Sequence, residues 1–210
     1  GVSLEVSNRS LDNLINPTRG YMVRFGTTVY DEVLASDFEM VKSEVKWDVY
    51  RPTGKKADGT TPVLHLEIDA GVASAYGDTD AVPYTERFFL GGSRSLRGFD
   101  FRGVGPEDPV SGFALGGETY VAGTLEWQYP LYSIVQPGTY ERIESLRGLL
   151  FLDFGILDPD EFALDTDELR ASVGFGIGLA YPLPMLLNFG FPIEEDGDPR
   201  QVFSFSLGLR

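Results

Sequence analysis

Apolar and polar residues alternate with a period of two along most of the chain. From Ala171 to Tyr181 the odd positions are Ala171, Val173, Phe175, Ile177, Leu179 and Tyr181, and the even ones are Ser172, Gly174, Gly176, Gly178 and Ala180. A helix would repeat every 3.6 residues, and each interior glycine would cost it roughly 0.5–1 kcal/mol. The segment is predicted to be a strand with one apolar face and one face nearly free of side chains. Phe203, Phe205, Leu207 and Leu209 alternate in the same way with Ser204, Ser206 and Gly208. Val121, Leu125, Trp127, Tyr129 and Leu131 oppose Ala122, Thr124, Glu126 and Gln128, while Leu150, Leu152, Phe154 and Ile156 oppose Phe151, Asp153 and Gly155. Val45, Trp47 and Val49 oppose Lys46 and Asp48, Leu64, Leu66 and Ile68 oppose His65, Glu67 and Asp69, and Val23 and Phe25 oppose Arg24 and Gly26. With shorter runs at Val2–Ser7 and Leu187–Phe191, the pattern predicts about nine strands.

Turn chemistry separates these strands. Asn16-Pro17-Thr18-Arg19-Gly20, Pro52-Thr53-Gly54, Pro182-Leu183-Pro184 and Asp196-Gly197-Asp198-Pro199 are stretches that a strand interior does not tolerate. No helical segment of convincing length appears, so the architecture is an antiparallel meander. A soluble β-sandwich also alternates. Here, however, the apolar faces end in aromatics (Trp47, Tyr50, Trp127, Tyr129, Tyr132, Tyr181), and the opposite faces mix glycine with charge. Aromatic girdles and a crowded wet lumen are the marks of a transmembrane β-barrel. Single-chain bacterial barrels are even-stranded, and a bare edge in lipid leaves backbone groups unbonded. Further strands are therefore expected before Gly1, and the 210 residues alone are not expected to form a closed native monomer.

Composition narrows the function. The 17 basic and 32 acidic residues give a formal net charge of −15, which disfavours the phosphate contacts of a nucleic-acid binder. Cysteine is absent, so disulfides, thiolate metal sites and cysteine nucleophiles are excluded. No apolar run approaches the ~20 residues of a membrane-spanning helix. Mean hydropathy near zero fits a barrel, because alternating faces dilute it.

One region interrupts the meander. At about residues 77–117 lies a connection too long for an idle hairpin loop. It contains Phe89-Leu90-Gly91-Gly92-Ser93-Arg94-Ser95-Leu96-Arg97-Gly98-Phe99, then Gly103-Val104-Gly105-Pro106, then Gly116-Gly117. This resembles the long sixth loop of the BamA-like outer-membrane barrel-assembly and translocation family, in which Gly-Gly precedes a hydrophobe-Arg-Gly-aromatic tetrapeptide. Leu96-Arg97-Gly98-Phe99 fills that tetrapeptide. Asn16 to Tyr21 is similar to the family's turn before a strand, Leu125 to Pro130 to the strand after the loop, Phe151-Leu152-Asp153-Phe154-Gly155 to the next strand, and Tyr181 to Pro184 to the penultimate turn. The likeness covers essentially the whole chain. It implies that residues 1–210 are the C-terminal part of an outer-membrane barrel, about eight to nine of sixteen strands, with periplasmic POTRA domains preceding them. The family commonly ends in an aromatic residue, whereas this chain ends in Arg210.

By strand phase, Glu126 and Asp153 both face away from lipid. The resemblance folds the loop into the lumen, which sets Arg97 against these carboxylates, with Gly91, Gly92, Leu96, Gly98 and Phe99 shaping the loop around it. It also implies that the last strand, carrying Val202, Phe203, Phe205 and Leu207, is the seam where substrate strands dock by β-augmentation. The implied function is a non-enzymatic outer-membrane assembly factor needing no cofactor. Its partners would be outer-membrane lipid, unfolded β-barrel substrates and periplasmic accessory proteins, with no nucleic acid. A two-partner-secretion-type translocation pore and the barrel anchor of a fused lipase are the alternatives.

Three smaller expectations follow. His65, the one histidine, lines the lumen, because a single strand converges poorly on a metal and no second histidine exists. The acidic runs Asp158–Glu161, Asp165–Glu168 and Glu194–Asp196 are solvated extracellular tips, with divalent-cation binding as the alternative. Serine at Gly176 should be milder than arginine at Phe175.

Overall fold

The computed structural model describes residues 1–14, 16–135, 142–179, 185–193 and 198–207, the side chains of Ile143 and Leu207 excepted. The predicted turn at Tyr181–Pro184, the acidic run Glu194–Asp196, Leu209 and Arg210 lie outside the described residues. The described strands are β1 (Val2–Leu11), β2 (Gly20–Tyr30), β3 (Met40–Pro52), β4 (Val63–Ala75), β5 (Gly98–Phe99), β6 (Thr119–Val135), β7 (Arg142–Asp158), β8 (Arg170–Leu179), β9 (Met185–Pro192), β10 (Arg200–Gln201) and β11 (Phe203–Leu207). All but β5 and β10 form one nine-stranded sheet in the order β1-β2-β3-β4-β6-β7-β8-β9-β11, every neighbouring pair antiparallel. β1 and β11 are its two edges. Strands β1 to β4 and β6 to β8 are 10 to 17 residues long. Each therefore meets the roughly 9–11 residues that a tilted strand needs to cross a bilayer.

The alternation predicted for β6 to β9 appears as two distinct faces, while β1, at the sheet edge, is exposed along nearly its whole length. Val173, Phe175 and Ile177 are 44%, 48% and 48% exposed, while Ser172 between β8's apolar positions is fully buried. Trp47, Leu125, Trp127, Leu150 and Phe205 join the exposed set from four other strands. A continuous apolar surface of this extent is untenable in water and suits lipid. The inner face carries Asp48, His65, Glu67, Thr124, Glu126, Arg147 and Asp153, all buried.

The sheet curls. In a flat sheet the four strand steps from β2 to β7 would span about 19 Å. Yet Asn16, in the turn between β1 and β2, donates from Nδ2 to Glu144 of β7 at 3.4 Å and accepts from Arg147 Nη2. That turn is shaped by Asp12, whose carboxylate accepts from the Thr18 N–H at 2.9 Å, the Thr18 hydroxyl at 2.5 Å and the Arg19 N–H at 3.0 Å. Partial burial pushes the Asp12 carboxyl up, but hydrogen bonds from Thr18, Arg19 and Asn13 outweigh this and hold it below its usual range.

Three expectations need correction. Val202 lies outside the final strand: β11 begins at Phe203, and the Val202 carbonyl instead accepts from the Gly190 N–H at 2.8 Å. Two successive outward residues, Val202 at 41% and Phe203 at 49% exposure, show the slip of phase. Asp158 is not a solvated tip residue. It is 5% exposed, and its carboxylate accepts from the N–H groups of Asp160 at 2.9 Å and Asp165 at 3.1 Å, so that it shapes the turn that follows β7. Gly176 is not simply small. A Cβ there would press on the Asn188 amide and sit 2.8 Å from the Leu187 carbonyl oxygen.

Candidate functional site

The segment between Ala75 and Thr119 folds over the inner face of β3, β4, β6, β7 and β9. Its own backbone holds it in shape. Phe88 and Gly117 exchange N–H···O bonds of 2.8 and 3.0 Å, Val104 donates to Leu90 at 3.2 Å, and Gly92 donates to Phe99 at 3.1 Å. The Ser95 hydroxyl takes the Gly91 N–H at 2.9 Å and closes a tight turn that begins at Gly91 and Gly92, whose φ values of 107° and 97° suit glycine. Leu90, Leu96, Phe99 and Val104 are buried in one core with Met40 of β3, Ala73 of β4, Tyr120 and Ala122 of β6 and Leu157 of β7. Leu96 is fully buried, so one apolar anchor immediately precedes the arginine.

Arg97 is fully buried as well. Its Nε and Nη2 donate to Asp153 Oδ2 and Oδ1, each at 2.7 Å, and its Nη1 donates to Glu126 Oε2 at 2.7 Å. The Arg97 backbone N–H adds a 3.1 Å bond to Asp153, and its carbonyl accepts from the Ser172 hydroxyl. The guanidinium lies 3.4 Å from the centroid of the Phe151 ring. Thr124 donates to Asp153 Oδ1 at 2.8 Å. Buried charge is costly unless paired and fully hydrogen-bonded, and a planar guanidinium spanning two carboxylates meets both conditions. Three neighbouring strands supply the cage: Thr124 and Glu126 from β6, Phe151 and Asp153 from β7, Ser172 from β8.

The network continues along the inner face of the sheet. Glu126 accepts from Gln128 Nε2 at 2.9 Å, Gln128 accepts from Arg147 Nη1 at 2.6 Å, and Arg147 reaches Glu144 at 2.7 Å and Asn16. A row of side chains thus joins the loop arginine to the turn between β1 and β2.

Gly98 has φ 96° and lies against Gly190 of β9; a Cβ on Gly98 would come within 3.1 Å of the Gly190 carbonyl carbon. Strand phase turned Glu126 and Asp153 inward and the loop resemblance set Arg97 against them, but neither found Thr124, Ser172 and the cation–π partner Phe151 as members of the cage. All three stand on the inward phase of their strands, which is the signal that marks them.

His65 has a partner that reading one strand could not supply. Its Nε2 lies 3.0 Å from Oδ1 of Asp48 on β3, and the Tyr50 ring stacks on its imidazole at 4.3 Å. His65, Asp48 and Glu67 bring three ligand-type atoms within 4.8 Å of one another, the one group among the described residues with that geometry. Lys46 already sits 3.1 Å from Glu67 and balances part of its charge.

The whole chain, residues 1–210, matches the Omp85 superfamily domain. The chain belongs to the Omp85 superfamily. This Omp85 chain is 30% identical over 203 residues to the outer membrane protein assembly factor BamA of Nitratidesulfovibrio vulgaris, an alignment covering 94% of the chain and 24% of that protein. It is 28% identical over 213 residues to the sorting and assembly machinery component 50 homolog of Mus musculus, covering 96% of the chain and 43% of the relative. In structure it is similar to the crystal structure of BamA from Haemophilus ducreyi lacking POTRA domains 1-3. The TM-score is 0.77 at 21% identity, over 97% of this chain and 41% of that one. The fold is therefore that of an outer-membrane β-barrel, and the Omp85 chain spans about a quarter of the length of the bacterial relative.

Proposed function

We propose that this Omp85 chain is the C-terminal half of a sixteen-stranded barrel belonging to an outer-membrane protein assembly factor, which folds and inserts β-barrel proteins. The observation that carries this reading is the fully buried Arg97, tied to Asp153 and Glu126 from a loop laid over the inner face. It occurs in a chain whose relatives are named assembly factors. In the full barrel, residues 77–117 lie in the lumen, long loops face the cell exterior and short turns the periplasm. The partners are lipid on the apolar face, unfolded barrel substrates at the seam, and periplasmic accessory proteins.

The driving force needs no nucleotide. The edge of β11 carries backbone donors and acceptors that lipid cannot satisfy, so an incoming strand gains hydrogen bonds there that it lacks elsewhere in the membrane. β11 is held to β9 by a ladder of only five residue pairs, Phe203↔Phe189 to Leu207↔Met185. That is the shortest pairing in the nine-stranded sheet among the described residues. Phe203 and Phe205 stand on its lipid side, about half exposed.

A cysteine at Phe205 and another in the first strand of the full-length barrel test the reading. Oxidation that locks the seam is expected to abolish insertion of a barrel substrate into vesicles, and reductant to restore it. Undiminished insertion by the locked protein would overturn the seam mechanism, while export of a polypeptide without insertion would move the protein to the secretion-pore class.

A further inference from the structure

The loop that carries Arg97 also touches the last strand. Arg200 and Gln201, one residue ahead of β11, leave the wall and pair antiparallel with Phe99 and Gly98. The Asp100 N–H donates to the Pro199 carbonyl at 2.9 Å, extending this small ladder. One residue later the chain rejoins the wall, where the Val202 carbonyl takes the Gly190 N–H. Gly190 is also the residue against which the loop rests. A Cβ there would lie 2.6 Å from the Gly98 nitrogen and 2.8 Å from the Arg97 carbonyl carbon. Arg170 fixes the approach to the ladder through a 2.6 Å ion pair with Asp198.

We propose that Gly98, Phe99 and Gly190 are positioning residues for the last strand: the loop's backbone edge grips residues 199–201 and so sets where and in what register β11 begins. Backbone carries the contact, which explains why the motif needs glycine after its arginine. Only a residue without a Cβ allows the loop and β9 to come this close. Among the described residues β11 pairs with β9 at five positions, so a grip at its start adds materially to what holds it. The Arg97 cage anchors the grip. With Arg97 bound to Asp153 and Glu126, Gly98 cannot drift from Gly190, and the seam strand is held; when the loop lifts, the start of β11 is released with it. The inference builds on the assembly reading, but its test reads strand protection in the absence of substrate, so the two can fail separately.

Amide hydrogen exchange of the full-length barrel in lipid is the measurement. Gly190→Ala, which pushes on the loop backbone at Arg97 and Gly98 while leaving the Arg97 side chain and its carboxylate partners in place, is expected to speed exchange in residues 202–207 about tenfold or more and to leave β3 and β4 unchanged. Gly148→Ala is the control, since a Cβ there meets only Leu131 at 3.4 Å, an ordinary contact. The chain has no cysteine, so Phe99→Cys with Arg200→Cys places a single pair across the small ladder. Its oxidation should restore protection of 202–207 in the Gly190→Ala background and deepen it in the parent. Should Gly190→Ala fail to fold, the oxidised-against-reduced comparison in the parent decides alone. Unchanged exchange at 202–207 while 96–101 loosens, equal loosening across β3 and β4, or failure of the cysteines to pair in the folded barrel would each overturn the proposal.

Discussion

Replacing Arg97 with alanine will lower the folding stability of the full-length barrel in vesicles by about 3–5 kcal/mol, the usual cost of removing one partner from a buried ion pair. The change leaves Asp153 fully buried and Glu126 nearly so, each having lost the Arg97 guanidinium. Of the hydrogen bonds described above, Asp153 keeps those from the Thr124 hydroxyl and the residue-97 backbone N–H, and Glu126 keeps that from Gln128. Arg97→Lys will recover less than its charge suggests. An ammonium cannot span both oxygens of Asp153 and reach Glu126 in the plane that also stacks on Phe151. Adding Asp153→Asn to Arg97→Ala should return part of the loss, because it removes the more deeply buried of the stranded charges. Urea titrations of the single and double variants check this. A double variant less stable than Arg97→Ala would show that the carboxylate is not the source of the cost.

The second large effect lies on the opposite face. Phe175 is about half exposed near the middle of β8, between Val173 and Ile177. An arginine there, if it stands at the bilayer midplane, costs about 2–4 kcal/mol of membrane folding stability. The matching inward control cannot be Gly176, where a Cβ meets the Leu187 carbonyl oxygen at 2.8 Å and the backbone must move. Gly174 is no better, since a Cβ there presses on the Phe189 carbonyl. Gly178 is better suited: its nearest contact is Arg147 Cγ at 3.2 Å, a side-chain methylene that need give only by a few tenths of an ångström, with no backbone among the three nearest atoms. Gly178→Ala should therefore stay close to the parent while Phe175→Arg falls steeply, in the same bilayer titration. Equal losses at the two positions would contradict the assigned faces.

Strand phase made the wall legible. Because a side chain's face in a strand depends only on parity, Phe175 and Asp153 could be placed outward and inward before any pairing was known. Arg97 was different. Its loop has no periodicity, and only the Leu96-Arg97-Gly98-Phe99 resemblance set it against the inward acids. What stayed hidden depends on register between strands distant in sequence. Asp48 finds His65 because β3 and β4 pair Asp48 with Glu67 and Tyr50 with His65. Gly98 rests directly against Gly190 of β9, and nothing near either glycine in the sequence announces the other. Val202 shares the apolar character of the final strand, so the slip of phase before Phe203 is invisible until the pairing of Arg200 and Gln201 with the loop draws the chain inward.

The row from Arg97 through Glu126, Gln128 and Arg147 to Asn16 has a consequence for how such a barrel can evolve. Each interior member bonds the one before it and the one after: Glu126 accepts from both neighbours, Gln128 donates to Glu126 and accepts from Arg147, and Arg147 donates to both of its neighbours. Exchange of a single member therefore breaks two contacts at once and reverses the polarity demanded of its neighbours. Viable lineages should change these positions jointly or leave them alone. Divergence should then accumulate on the lipid face, where one apolar residue replaces another without consulting its neighbours.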